Sequence, residues 1–149
     1  MTRKGSARWH GGLKDGRGSV SVESGALKGT AYGFNSRFAG EKGTNPEELI
    51  AAAHAACFTM ALSGQLGELG VTAEDLETTA VVTMEKLEPG WTVTKVHLAV
   101  TAKIPGSDEA KLQTAAAKAK EGCPVSRLLN AVVTMEATLD PQPAPARAR

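Results

Sequence analysis

The stretch AAAHAACFTMAL, residues 51 to 62, constrains this chain more than any other. It is apolar around nearly its whole circumference, which suits a helix with neighbours on most sides rather than one with a solvated face. His54 and Cys57 stand inside it. The start of this helix is well marked: Asn45 is a good N-cap, Pro46 fits the first helical position, and Glu48 falls where a capping box places its carboxylate. From Leu49 to about Leu66 the chain stays mostly apolar, and Gly67 and Gly70 are available to end the helix. The rest of the chain is expected to pack around this central rod.

What surrounds the rod is bounded by size and charge. A chain of 149 residues is normally filled by one domain with its own core. Only 4% of the residues are aromatic, so the core must close by tight backbone packing through alanine and glycine, and such a small core invites a partner chain. With 17 basic and 16 acidic residues the formal charge is +1, which generates no field able to gather nucleic acid or an anionic membrane. No apolar segment follows the basic N-terminus, and no uninterrupted run approaches the roughly 20 residues that span a bilayer, so the sequence predicts a cytoplasmic protein without membrane or nucleic-acid partners. Two cysteines far apart in sequence, with no CxxC pairing, suit neither a structural crosslink in a reducing compartment nor a zinc ribbon. A reactive role is the alternative.

Strand signals stand on both sides of the central helix. Residues 6 to 11 and 17 to 24 alternate and are joined by glycine-rich HGGLKDGRG, a hairpin; residues 29 to 43 read as a loop anchored by Tyr32, Phe34 and Phe38. After the helix, LETTAVVTMEKLEPGWTVTKVHLAVTAKI predicts two antiparallel strands joined at Pro89-Gly90, with Val96, Leu98, Val100, Ala102 and Ile104 on one face. Ser107 is expected to cap a second helix that Gly122 stops, with Asp108 and Glu109 at its start and Lys118 and Lys120 at its end. A short helix opens at Pro124, and a last strand carries Val133, Met135, Ala137 and Leu139 on one side. The order makes an α+β domain over residues 1–140, followed by PQPAPARAR, residues 141–149, whose composition predicts a disordered tail.

Four residues are candidates for chemistry, and each admits a plainer reading. Cys57 can be a small buried hydrophobe, as free cysteines often are. Cys123 precedes Pro124 and falls at a helix N-cap, where the dipole lowers a thiol's pKa, yet it can equally be an incidental cap. If the two sulfurs meet, they can cycle between dithiol and disulfide. Arg37 carries a permanent charge that can hold a thiolate and stabilise an oxyanion leaving from a cleaved O–O bond, although most loop arginines are merely solvated. Glu47 can clamp a guanidinium in a bidentate pose or simply answer the helix dipole. His54 lies one turn before Cys57, near enough for a cysteine–histidine pair; His54, Cys57 and Cys123 together supply only three ligands for zinc.

Two of these motifs are familiar. YGFNSRFAGEKGTNPEELIAAAHAACFTMAL, residues 32 to 62, and KAKEGCPVSRLL, residues 118 to 129, strongly resemble the OsmC/Ohr family of thiol-dependent hydroperoxide peroxidases, a likeness that extends over about residues 6 to 139. The GFNSRF loop beside GEKGTNPEEL resembles the osmotically inducible branch rather than the organic hydroperoxide resistance branch. The resemblance implies an intertwined α+β homodimer, with curved antiparallel sheets wrapped around two central helices, and active sites at the subunit interface. It implies Cys57 as the peroxidatic cysteine, Cys123 as the resolving cysteine, and Arg37 and Glu47 as the pair, contributed by the partner chain, that assists the thiolate. It implies organic hydroperoxide as substrate and a dithiol such as dihydrolipoamide on a lipoylated protein as reductant, with no metal, flavin or haem, and a setting in oxidative and osmotic stress. The rivals are a non-catalytic dimeric binder of small apolar ligands and a cysteine hydrolase built from Cys57 and His54.

Overall fold

The alternation near the N-terminus becomes a meander. In the computed structural model, which describes residues 1–106 and 109–140, β1 (Gly5–His10), β2 (Arg17–Val22) and β3 (Thr30–Tyr32) form an antiparallel sheet in that order. The expected hairpin pairs Gly5 with Val22 through His10 with Arg17. Gly18 is needed where it stands, because a Cβ there would run into the Tyr32 ring and the Trp9 indole, whose centroids lie 5.5 Å apart. β3 and the helix α1 (Phe34–Phe38) occupy the segment that reads as loop in the sequence. Three and five residues are too few to display a period. Side chains hold them instead: Ser36 Oγ accepts from the Gly33 N–H at 2.9 Å and lies 2.9 Å from the Thr44 carbonyl, and Asn35 Nδ2 donates to Glu41 at 2.9 Å.

The contacts of the chain gather into two compact units, Met1–Leu49 and Ile50–Arg149. In the first unit Thr44 is the sole buried residue, so this sheet has almost no core within the chain.

The central helix is present as α2 (Pro46–Glu68). Asn45 Oδ1 accepts from the Glu48 N–H at 2.8 Å, which is the cap the sequence predicts. At the other end the Val71 N–H reaches the Leu66 carbonyl and the Gly70 N–H the Gly67 carbonyl, both at 3.0 Å, with Gly70 at φ +69°: a Schellman motif. One expectation needs correcting. By length and composition α2 could cross a membrane, since it holds an 18-residue window of mean hydropathy 1.4. His54, Thr59 and Ser63 interrupt the strictly apolar run, but abundant alanine keeps the average high. Its buried stripe is His54, Phe58, Leu62 and Leu66, one residue per turn; much of the remaining surface, including Ala52, Ala56, Met60 and Gly64, is exposed.

The second sheet has the order β4 (Asp75–Leu87), β5 (Gly90–Lys103), β6 (Val132–Leu139). β4 and β5 are antiparallel as expected, with an irregularity in register at Thr83/Met84. β6 departs from the expected all-antiparallel arrangement: it runs parallel to β5, from Lys95↔Val132 to Ala102↔Leu139. The cause is the intervening pair of helices, α3 (Glu109–Gly122) and α4 (Pro124–Leu128), which return the chain to the end where β5 began, the crossover that a parallel neighbour requires. The predicted face of β5 is fully in the core: Val96, Leu98, Val100, Ala102 and, just past the strand, Ile104. They share it with Phe58, Leu62 and Leu66 of α2, with Leu112, Ala115, Ala116 and Ala119 of α3, and with Cys123. Each large aliphatic or aromatic side chain in this set contributes about 1.5–3 kcal/mol by leaving water. The expected cap residues Ser107 and Asp108, and the tail 141–149, lie outside the described residues.

Candidate active site

The two cysteines reach one place by different routes. Cys57 sits on α2 one turn after His54 and is half-buried; Cys123 is the N-cap of α4 and is completely buried. Both are free thiols, and they lie close enough for each to shift the ionisation of the other. The fold therefore unites the pair that the sequence holds far apart. Burial pushes the Cys57 thiol up; the Val125 backbone N–H counteracts this, while the hydrogen bond and charge of Cys123 add to it. Burial also opposes ionisation of Cys123, but the amides of Val125 and Ser126, the Cys57 thiol and the Ser126 hydroxyl together outweigh it, and this thiol is lowered. The amides act as nearby dipoles and close no cap hydrogen bond with the sulfur. Within one chain, then, the surroundings favour ionisation of Cys123 over that of Cys57.

His54 does not pair with Cys57. Its ring is fully buried, and Nε2 lies 2.7 Å from Ser126 Oγ while Nδ1 has no hydrogen-bond partner. Burial lowers its pKa from the ordinary 6.5, so the ring is held neutral. Because neither ring nitrogen bonds the Cys57 thiol, the hydrogen-bonded pair that a Cys57–His54 hydrolase needs is not formed. Ser126 is a site residue that sequence reasoning missed; the available signal was its place in CPVS, one turn into the helix that Cys123 opens. Among the described residues no group of three or more His, Cys, Asp or Glu is arranged to hold a metal ion.

In the N-terminal unit, Arg37 and Glu47 are brought together. Arg37 Nε donates to Glu47 Oε2 at 3.0 Å and Nη2 to Oε1 at 2.6 Å, the parallel fork that fixes a guanidinium plane. Glu47 thus does more than answer a helix dipole. The guanidinium also stands 5.2 Å from the centre of the Phe38 ring. Beside it opens a cavity of about 250 Å³ lined by Trp9, Leu13, Tyr32, Phe34, Phe38 and Pro46 together with Arg37. A fixed cation at the edge of an apolar cleft can hold a polar head while the cleft takes a hydrocarbon body.

Known proteins share this arrangement of sequence and fold. The family described as OsmC-like protein matches residues 39–138. A protein of Escherichia coli (strain K12) named Peroxiredoxin OsmC is 52% identical over 134 residues, 90% of this chain and 94% of its own length. The organic hydroperoxide resistance protein OhrB of Bacillus subtilis, as a crystal structure, superposes with a TM-score of 0.74 at 33% identity, covering 92% of this chain and 98% of that one. An organic hydroperoxide resistance protein OsmC from Legionella pneumophila gives 0.65 at 28% identity, covering 93% and 97%.

Proposed function

Because this chain belongs to the OsmC-like family, in its OsmC branch, we propose that Cys57 and Cys123 are the working thiols of its reaction. That reaction is the thiol-dependent reduction of hydroperoxides. The observation that carries the assignment is the meeting of the two sulfurs beside the Val125 amide.

The Cys57 thiolate attacks the distal oxygen of ROOH; the S–O bond forms as the O–O bond breaks, and the leaving alkoxide takes a proton to become alcohol. Cys57 is then a sulfenic acid, and Cys123 condenses with it to a disulfide and water. A dithiol, dihydrolipoamide on a lipoylated protein being the class expected, reopens the disulfide, and no metal or organic cofactor takes part. Since Cys57 has no cation to hold its charge within the described contacts of its own thiol, the Arg37–Glu47 pair is assigned to that task across a homodimer. Support for the dimer comes from what one chain leaves uncovered: the first sheet, none of whose residues is buried, and the exposed face of α2 with Ala52, Ala56 and Gly64. The same partner helix explains the apolar character of α2 without a membrane, in keeping with a cytoplasmic enzyme of oxidative and osmotic stress.

The cavity at Arg37 supports organic hydroperoxides over hydrogen peroxide, because each CH₂ buried contributes about 0.8 kcal/mol. With a dithiol donor, kcat/KM for cumene hydroperoxide should exceed that for hydrogen peroxide by tenfold or more, and Cys57→Ser should abolish turnover of both while the protein stays folded. Equal values for the two peroxides contradict the apolar site. Undiminished turnover by Cys57→Ser contradicts the assignment of Cys57, and absence of turnover in the unaltered protein leaves only a small-molecule binder.

A further inference from the structure

His54 is a completely buried imidazole that the reaction described so far does not use. Its Nε2 is spent on Ser126 Oγ at 2.7 Å, and its Nδ1 is sealed in with no partner. A stranded lone pair is tolerated better than a stranded N–H. The hydrogen therefore sits on Nε2 and points at Ser126. With its lone pair engaged by the imidazole, the serine has one hydrogen of its own left to give, and it stands in the first turn of α4, the helix that Cys123 caps, which makes Cys123 Sγ the neighbouring sulfur. We propose that His54 and Ser126 form a buried relay that holds the resolving cysteine as a thiolate: His54 Nε2–H donates to Ser126 Oγ, and Ser126 Oγ–H donates to Cys123 Sγ.

The relay serves the second half of the cycle, and it rests on the resolving role assigned to Cys123. There the Cys123 thiolate attacks the Cys57 sulfenic sulfur, the Cys57–Cys123 S–S bond forms as the S–O bond breaks, and the departing hydroxide takes a proton from solvent to leave as water. The two sulfurs share the electron change, so no further oxidant is needed. A neutral ring suits this work better than a charged one: imidazolium would need a second acceptor at Nδ1, and none is present. His54 is thus a positioning residue, acting on the sulfur through the serine hydroxyl. An early, stable thiolate at Cys123 shortens the life of the Cys57 sulfenic acid, which is otherwise open to a second peroxide and oxidation to sulfinic acid.

The test separates the two steps in the full-length protein. Rapid mixing with cumene hydroperoxide, quenched with a dimedone probe, reports sulfenic acid; quenching with an alkylating agent and intact-mass analysis reports disulfide. Ser126→Ala and His54→Phe should slow disulfide formation tenfold or more relative to sulfenic acid formation. The pH inflection of the disulfide step should rise toward that of a free thiol, about 8.5. Ser126→Thr and His54→Gln, which keep a hydroxyl and an N–H, should restore most of the rate and the original inflection. Variants that form the disulfide at the wild-type rate, or that lose both steps equally with an unmoved inflection, overturn the relay. A wild-type protein that never forms the Cys57–Cys123 disulfide overturns the peroxidase assignment itself.

Discussion

A buried histidine leaves a thermodynamic mark whether or not it serves catalysis. In the unfolded chain His54 titrates near 6.5, whereas in the folded protein burial holds its pKa lower. Between the two values the unfolded state binds a proton that the native state refuses, so stability is fully present above about pH 6.5 and declines as pH falls through it. Urea midpoints measured from pH 8 down to pH 5 should show this decline, and His54→Gln, which does not titrate, should reduce it. Equal slopes in the two proteins contradict a neutral, buried His54. At this scale the sequence singles out candidate residues and is silent about most of their partners. Cys57, Cys123, Arg37 and Glu47 all stood out by type and position. That His54 reaches Ser126, 72 residues away, instead of the cysteine one turn along its own helix depends on α4 lying against α2, which no local pattern encodes.

The elements that were legible are those with long periods and marked ends. α2 announced itself through Asn45, Pro46 and the glycines beyond Leu66, and β5 through five alternating apolar residues. Those ends carry measurable free energy. Gly70→Ala places a Cβ at φ +69°, where an L-residue is disfavoured by about 1–2 kcal/mol, and should lower stability by that amount with little change in turnover. A shift below a few tenths of a kcal/mol in chemical denaturation contradicts the Schellman end. What the sequence concealed was short or non-local. β3 and α1 have no measurable period and owe their form to Ser36 and Asn35. The parallel alignment of β6 follows from where α3 and α4 deliver the chain, and alternation alone does not distinguish a parallel from an antiparallel neighbour.

For the whole molecule, the central question is which chain supplies the cation. Within a single chain burial raises the pKa of Cys57, a poor starting state for a nucleophile. In the proposed dimer, Arg37 of the other chain is the group that would correct this. Two inactive proteins, Cys57→Ser and Arg37→Ala, then complement each other: a mixed dimer combines Cys57 of one chain with Arg37 of the other in one of its two sites. Co-refolding them at equal amounts should restore up to about a quarter of wild-type activity, since statistical exchange makes half of all dimers mixed. No recovery, with mixed dimers verified by mass, contradicts delivery across the interface.

The account turns on two sulfurs exchanging a bond, and one titration examines that directly. Reduced protein treated with a single equivalent of cumene hydroperoxide should lose two thiols per chain, release one alcohol, and yield a peptide pair joined through Cys57 and Cys123. Consumption of peroxide with both thiols retained, or with oxidation confined to sulfenic or sulfinic acid on single cysteines and no joined peptide pair, contradicts the proposed cycle.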